Sequence, residues 1–391
     1  MRKFDWETKI NRQGTSSLKT SPNIVKNFLN LNCYDDTIYL WVADMDFPCA
    51  PKIVNSLIDR VDNRVYGYTN ESKEYYGSII DWYKRRHDID IDKNSIVYSK
   101  GTVSGIRNIL RALTDVGDGV VIQEPVYYPF AGQIRETGRT IVNNKLLCDM
   151  DNHYSIDFID FEKKARDPNN KVFILCNPHN PVGRIWNEDD VRKMMEICDA
   201  YDVIVIADEI HADLIRGNQK FTSAYNLYHG DKMILATAAN KTFNLAGLEI
   251  TNFVIDNSEL RKRLTDYIGS EFINPFSERA AVAAYDECEE WVEELNEVLD
   301  ENFDFMDSFI KENLPKVRFN IPEGTYLSLL DFRDYGLSEE ELLKKIADEA
   351  HVILEPGSLF GPSIEGFVRL NAACPKSVLE DALERIVNIW R

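Results

Sequence analysis

Between residues 95 and 255, short apolar runs alternate with stretches whose apolar positions recur at helical spacing. The runs are Ser95–Tyr98, Gly119–Gln123, Val172–Cys176, Val203–Ala207, Met233–Thr237 and Asn252–Ile255. Several are uninterrupted, with no polar residue on either face. Strands read this way when helices cover both sides of a mainly parallel sheet. The segment Asp189–Tyr201 shows the amphipathic repeat of such a covering helix. This alternation predicts an α/β layered domain.

The texture changes near Asp286. A long charged segment keeps Trp291, Leu295, Val298, Met306 and Phe309 near one helical face. Val317, Phe319 and Ile321 then alternate strictly, a Pro-Glu-Gly turn comes at 322–324, and another apolar run succeeds it. A helical pattern over Glu339–Ala350 precedes a last strand candidate, Phe367–Leu370. This half reads as a smaller α+β domain. A chain of 391 residues is too long for one ordinary core, which agrees with two domains.

Composition narrows the function. The hydrophobic share, 44% with 11% aromatic, is enough for a well-buried core. A net charge of −20 repels nucleic acid and anionic membranes, so neither is an expected partner. An anionic small ligand stays open if local groups reverse the field. No stretch approaches a membrane span, and the first residues lack the apolar core of a signal peptide. Seven scattered cysteines without a C-x-x-C pair argue against disulfides or zinc, leave no metal expected, and fit a reducing cytoplasm. At least six of them are expected to be small buried hydrophobes.

In parallel α/β sheets ligands bind beyond the carboxyl ends of the strands, so the residues just past each run matter. After the first comes Ser99-Lys100-Gly101-Thr102-Val103-Ser104-Gly105 opening a helix, where free N–H groups suit a phosphate. After the second, Tyr127 is available to stack on a planar ring. After the third come two Asn-Pro steps, which hold Asn180 rigidly enough to donate to a phenolic oxygen. After the fourth, Asp208 ends an apolar strand and calls for a cation such as a protonated pyridine nitrogen. After the fifth, Lys241 sits among small and apolar residues that lower an amine's pKa and favour Schiff-base chemistry. Each has an ordinary alternative: a turn, a packed aromatic, a helix cap, a solvated lysine. Five in chain order at the ends of one sheet make the stronger pattern.

These residues resemble the fold-type I pyridoxal-5′-phosphate (PLP) enzymes of the class I/II aminotransferase superfamily, over nearly the whole chain. Within it the chain is most similar to the cystathionine β-lyase/cystalysin-type C–S lyases. The motifs are Trp41–Phe47, Tyr66–Thr69, Asn177–Arg184, Asp208–His211, Lys241–Leu248, Pro322–Leu327 and Phe367–Asn371. The resemblance implies a PLP-binding large domain around a mainly parallel seven-stranded sheet, with a smaller α+β domain. The expected division is 1–47 as a segment joining the small domain, 48–285 as the large domain and 286–391 as the small one. It also implies a homodimer, with Tyr68 reaching the neighbouring active site.

Carried over position by position, the resemblance implies that Lys241 holds PLP as a Schiff base and later moves protons. Asp208 pairs the pyridinium nitrogen, Asn180 contacts the ring hydroxyl and Tyr127 stacks on the ring. Backbone at Thr102 and Val103 cradles the phosphate, and Tyr68 reaches it from the partner. His211 joins the cofactor site, and Arg369 binds the substrate α-carboxylate with Ala43 and Asn180 nearby. Three positions depart from the aminotransferase pattern: His211 replaces a tyrosine, Glu249 a phosphate-binding arginine, and Asn240 a serine. They favour the lyase branch. The expected activity is cleavage of cysteine S-conjugates, small amino-acid substrates, to pyruvate, ammonia and a thiol. The runner-up is an aminotransferase passing the amino group to a 2-oxo acid, and a third reading is a binding module with a regulatory protein partner.

Overall fold

The computed structural model describes residues 2–391. Seven strands form the main sheet: β1 (Ile96–Lys100), β2 (Gly119–Ile122), β3 (Thr140–Asn143), β4 (Asn170–Cys176), β5 (Ile204–Asp208), β6 (Met233–Thr237) and β7 (Ile250–Val254). Their spatial order is β1-β7-β6-β5-β4-β2-β3, and only β7 runs antiparallel to its neighbours. All six apolar runs become strands, Met233–Thr237 unchanged and the others with ends moved by one or two residues. The strand that run-counting passes over is β3, a half-buried edge with two apolar residues between Thr140 and Asn143.

The side-chain period of two sends alternate residues to opposite layers. Val120, Ile122, Val172, Ile174, Ile204 and Ile206 meet the Thr102–Leu113 helix on one face. Val121, Phe173, Leu175, Val205 and Ala207 meet the Lys73–His87 and Pro275–Glu287 helices on the other. Each fully buried Ile or Val contributes about 1.5–3 kcal/mol, and because both faces are filled, a ligand is left the ends of the strands.

A second sheet is wholly antiparallel, in the order Arg318–Phe319, Leu327–Asp331, Phe367–Asn371, Glu355–Pro356. Its core gathers Val25, Leu40 and Trp41 from the N-terminal segment with Leu330, Val368 and Leu370, and with Leu379 and Leu383 of the Lys376–Asn388 helix. The Glu289–Asn313 helix serves both cores, Trp291 to Leu299 in one and Phe303 to Ile310 in the other.

Two expectations for this half need correcting. The alternation Val317, Phe319, Ile321 yields only a two-residue strand, because Ile321 stays exposed at the turn. The Glu339–Ala350 helix is α-helical to Lys345 and finishes as a π turn over Ile346–Ala350. The cysteines differ too. Four are buried, Cys33 and Cys49 are half-buried and Cys148 is exposed, all as free thiols. Among the described residues no helix is long and apolar enough to cross a membrane.

Candidate active site

Most of the expected site residues collect at the carboxyl edge of the parallel strands. Asp208 is the last residue of β5, the central strand. Lys241 sits in the short Ala239–Thr242 helix just past β6. Asn180 comes after β4, Tyr127 after β2, and Thr102 and Val103 open the helix after β1. A cavity of about 790 Å³ at this edge is lined by Lys241, Tyr127, Ala43 and Arg369, together with Asp44 and Glu355.

Lys241 Nζ donates to the Ala43 carbonyl at 2.7 Å, and Tyr326 Oη donates to the same oxygen at 2.9 Å. Loss of hydration, reinforced by the positive charge of Arg369, brings the Lys241 ammonium down to about 8. A sizeable fraction of this amine is therefore neutral near pH 8, as nucleophilic chemistry requires.

Asp208 is buried and accepts one N–H, from Ile210 at 3.3 Å. Desolvation pushes its carboxyl up to about 7, against the lowering effects of that bond and of Lys241. A carboxylate so placed lacks a cation, and a protonated ring nitrogen is the group that would supply one. His211 is buried and held well below its usual range by burial and by the charges of Lys241 and Arg369, so it is neutral. Its Nδ1 has no partner.

Gly101 caps the Thr102–Leu113 helix at φ +87°, a left-handed conformation that suits glycine, and no side chain caps that helix. The hydroxyl of Thr102 is already engaged with that of Thr251 at 2.9 Å, so its first backbone N–H groups are what it offers an anion. An uncapped helix start, a buried carboxylate without a cation and an activated lysine match a cofactor with phosphate, pyridine and aldehyde groups. The residues present fit PLP.

Arg369, buried on the central part of the second sheet, donates through Nη1 to Asn180 Oδ1 and through Nη2 to the Trp41 carbonyl, each at 3.0 Å. Its Nε is unpartnered. Asn180 thus accepts from the arginine with its oxygen and keeps its amide N–H groups for another acceptor. Tyr68 is elsewhere: it is 92% exposed and rests beside Phe272, ring centroids 5.1 Å apart. Glu249 is also exposed, at φ +52°, while Asn240 Oδ1 accepts from Ile250 N at 3.3 Å and ties the lysine turn to β7.

Two features escape a reading of the sequence. Glu355 forms an ion pair with Arg369 inside the cavity. It too comes just after an apolar run, Val352–Leu354, but that run pairs with Ile38–Tyr39 in a separate two-stranded sheet, outside the main sheet whose strand ends the sequence reading followed. Next to the cavity, Arg12 and buried Lys19 bridge Asp44 and Asp46, with Lys19 Nζ 2.7 Å from Asp46 Oδ2, and pin the N-terminal segment. The segment's apolar pattern carries no sign of it.

Comparison with known proteins agrees with this geometry. Residues 35–386 match the family model described as aminotransferase class I and II. Cystathionine beta-lyase PatB of Bacillus subtilis (strain 168) is 39% identical over 356 residues, covering 90% of this chain and 92% of that protein. The crystal structure of cystalysin from Treponema denticola, which contains a pyridoxal 5′-phosphate cofactor, superposes with a TM-score of 0.94 at 34% identity, covering 99% of this chain and 98% of the other. A PLP-bound C–S lyase from Staphylococcus hominis complexed with L-cycloserine gives a TM-score of 0.93 at 31% identity, over 99% and 98% of the two chains. The chain belongs to the class I and II aminotransferase family, in the branch of the cystathionine β-lyases and cystalysin.

Proposed function

We propose that this protein is a PLP-dependent carbon–sulfur β-lyase that cleaves cysteine S-conjugates to pyruvate, ammonia and a thiol. One observation carries the reading: an amine of lowered pKa, a buried carboxylate lacking a cation and an arginine clamp meet at one strand edge. Lys241, Asp208, Asn180, Tyr127 and His211, with the N–H groups of Thr102 and Val103, are the residues that would hold PLP. When bound, PLP supplies an electron-withdrawing ring that stabilises negative charge at the substrate Cα.

The chain's own groups do the rest. Arg369 orients the substrate through its α-carboxylate, with Ala43 and Asn180 at the same place. Neutral Lys241 Nζ takes the Cα proton. Asp208, ionised by the charge of its cationic partner, keeps that partner protonated. The departing sulfur needs a proton, and Tyr127, whose hydroxyl burial pushes up to about 12, remains protonated and lines the cavity. Protonated Lys241 is the other available donor.

We further propose a homodimer in a reducing cytoplasm. Ile58, Val61 and Val65 are exposed, Tyr66 Oη donates to the Val61 carbonyl at 2.7 Å, and exposed Tyr68 rests against Phe272. A second copy covering these residues would bury this apolar surface and bring Tyr68 to the neighbour's phosphate site. The domain proposal is a segment 1–47 joining the small domain, a large domain 48–285 and a small domain 286–391.

The test is a product assay with PLP and cystathionine but no 2-oxo acid. Equal pyruvate and ammonia are expected. Strict dependence on a 2-oxo acid would make the protein an aminotransferase instead.

A further inference from the structure

The substrate clamp already holds a carboxylate that belongs to the protein. Glu355 and Arg369 stand opposite each other on antiparallel strands, both buried, and Glu355 Oε2 pairs with Arg369 Nη2 on the wall of the cavity that contains Lys241. The other acceptors on Arg369 are neutral: Asn180 Oδ1 and the Trp41 carbonyl. The guanidinium charge is therefore matched one to one before any substrate arrives.

An incoming α-carboxylate would place two anions on one buried guanidinium. Like charges that close cannot both stay ionised at low cost. The groups facing Glu355 are Arg369 from the neighbouring strand, Tyr128 from the start of the Pro129–Glu136 helix, and Lys241 from beyond β6. Burial holds the Glu355 carboxyl above the usual carboxylate range, outweighing Arg369, the Tyr128 hydroxyl and Lys241. Neutralising Glu355 thus costs less than neutralising the substrate carboxylate, which brings its own hydration and its own charge to the same arginine.

We propose that Glu355 is a resident competitor for the substrate-carboxylate clamp, a specificity-determining residue that takes one proton from solvent each time an amino-acid substrate binds Arg369. This rests on the reading of Arg369 as the clamp. Below the folded-state pKa of Glu355 the clamp is free. Above it, every binding event must protonate Glu355, so affinity falls as pH rises.

The probe is L-alanine, which has the α-carboxylate but no sulfur leaving group, titrated into the holoenzyme between about pH 6 and 9 while the cofactor's absorbance is followed. Calorimetry in two buffers of different ionisation enthalpy counts the protons. Glu355→Gln is measured in the same two buffers and over the same pH range, since Glu355 also bears on Lys241. Wild type is expected to take up about one proton more than Glu355→Gln. At the alkaline end Glu355→Gln should bind roughly tenfold tighter, the scale of one charge-assisted hydrogen bond, and lower KM with kcat unchanged. Equal or weaker binding by Glu355→Gln, or equal proton uptake, overturns the proposal. If that variant does not fold, Glu355→Ala takes its place in the same comparison. Arg369→Lys separates the two readings: weakened L-alanine binding keeps the clamp whatever Glu355 does, whereas unchanged binding removes both.

Discussion

The two sheets supply charge to the cavity in opposite ways. At the parallel edge, Asp208 ends a strand and waits without a cation, destabilised by its own burial. In the antiparallel sheet, Arg369 and Glu355 sit inside strands and neutralise each other across the ladder. The first arrangement is costly alone and becomes favourable when a cationic ring is bound. The second is self-sufficient and must be disturbed before it can bind anything. On the proposed assignments, cofactor and substrate sites are thus built on different principles, one on a missing partner and one on an exchangeable partner.

The largest expected effect breaks the first region. Lys241→Ala should lower turnover by about 10⁴-fold or more, because both the covalent anchor and the proton acceptor are lost. Steady-state pyruvate release measures this. Asp208→Asn should keep the lysine anchored yet reduce kcat by about 10²–10³-fold, since an amide no longer holds the ring nitrogen protonated. In the second region, Arg369→Lys should raise KM by roughly 10–100-fold with a smaller change in kcat, because an ammonium cannot reproduce the two-pronged geometry.

Stability separates the regions again. Asp208 titrates near 7 in the folded chain and near 3.8 unfolded, so between those values the folded state holds more protons. The Asp208 contribution to the stability of the cofactor-free protein therefore falls as pH rises from about 4 to 7 and levels off above. Asp208→Asn should remove that fall and stabilise the cofactor-free protein at pH 8 by a few kcal/mol at most, read as a higher Tm. Glu355→Leu should do the reverse and cost about 3 kcal/mol, since it strands Arg369 without its counter-charge. Thermal melts of the cofactor-free variants at two pH values check both signs.

Much of the parallel half is readable from sequence because its rule is local: an uninterrupted apolar run must be buried on both faces, so the residues just beyond it lie at the functional edge. Asp208, Lys241 and Asn180 all emerge from that rule. The edge strand Thr140–Asn143 does not, since an edge is only half-buried and carries no long run. The antiparallel half is harder. Glu355 meets Arg369 only through strand pairing of residues 14 apart in sequence, and Lys19 meets Asp46 only when the N-terminal segment folds back. Pairing register and long-range ion pairs leave no periodic trace. Tyr68 shows the limit from the other side, because the role proposed for it needs a second copy of the chain.

The most direct test of the account is to load the protein with PLP, reduce it with borohydride, digest it and locate the added mass. The account predicts a single pyridoxyl group on Lys241, with the absorbance of the bound cofactor bleached in parallel. A pyridoxyl group on another lysine, or a reduced protein carrying none, would contradict it.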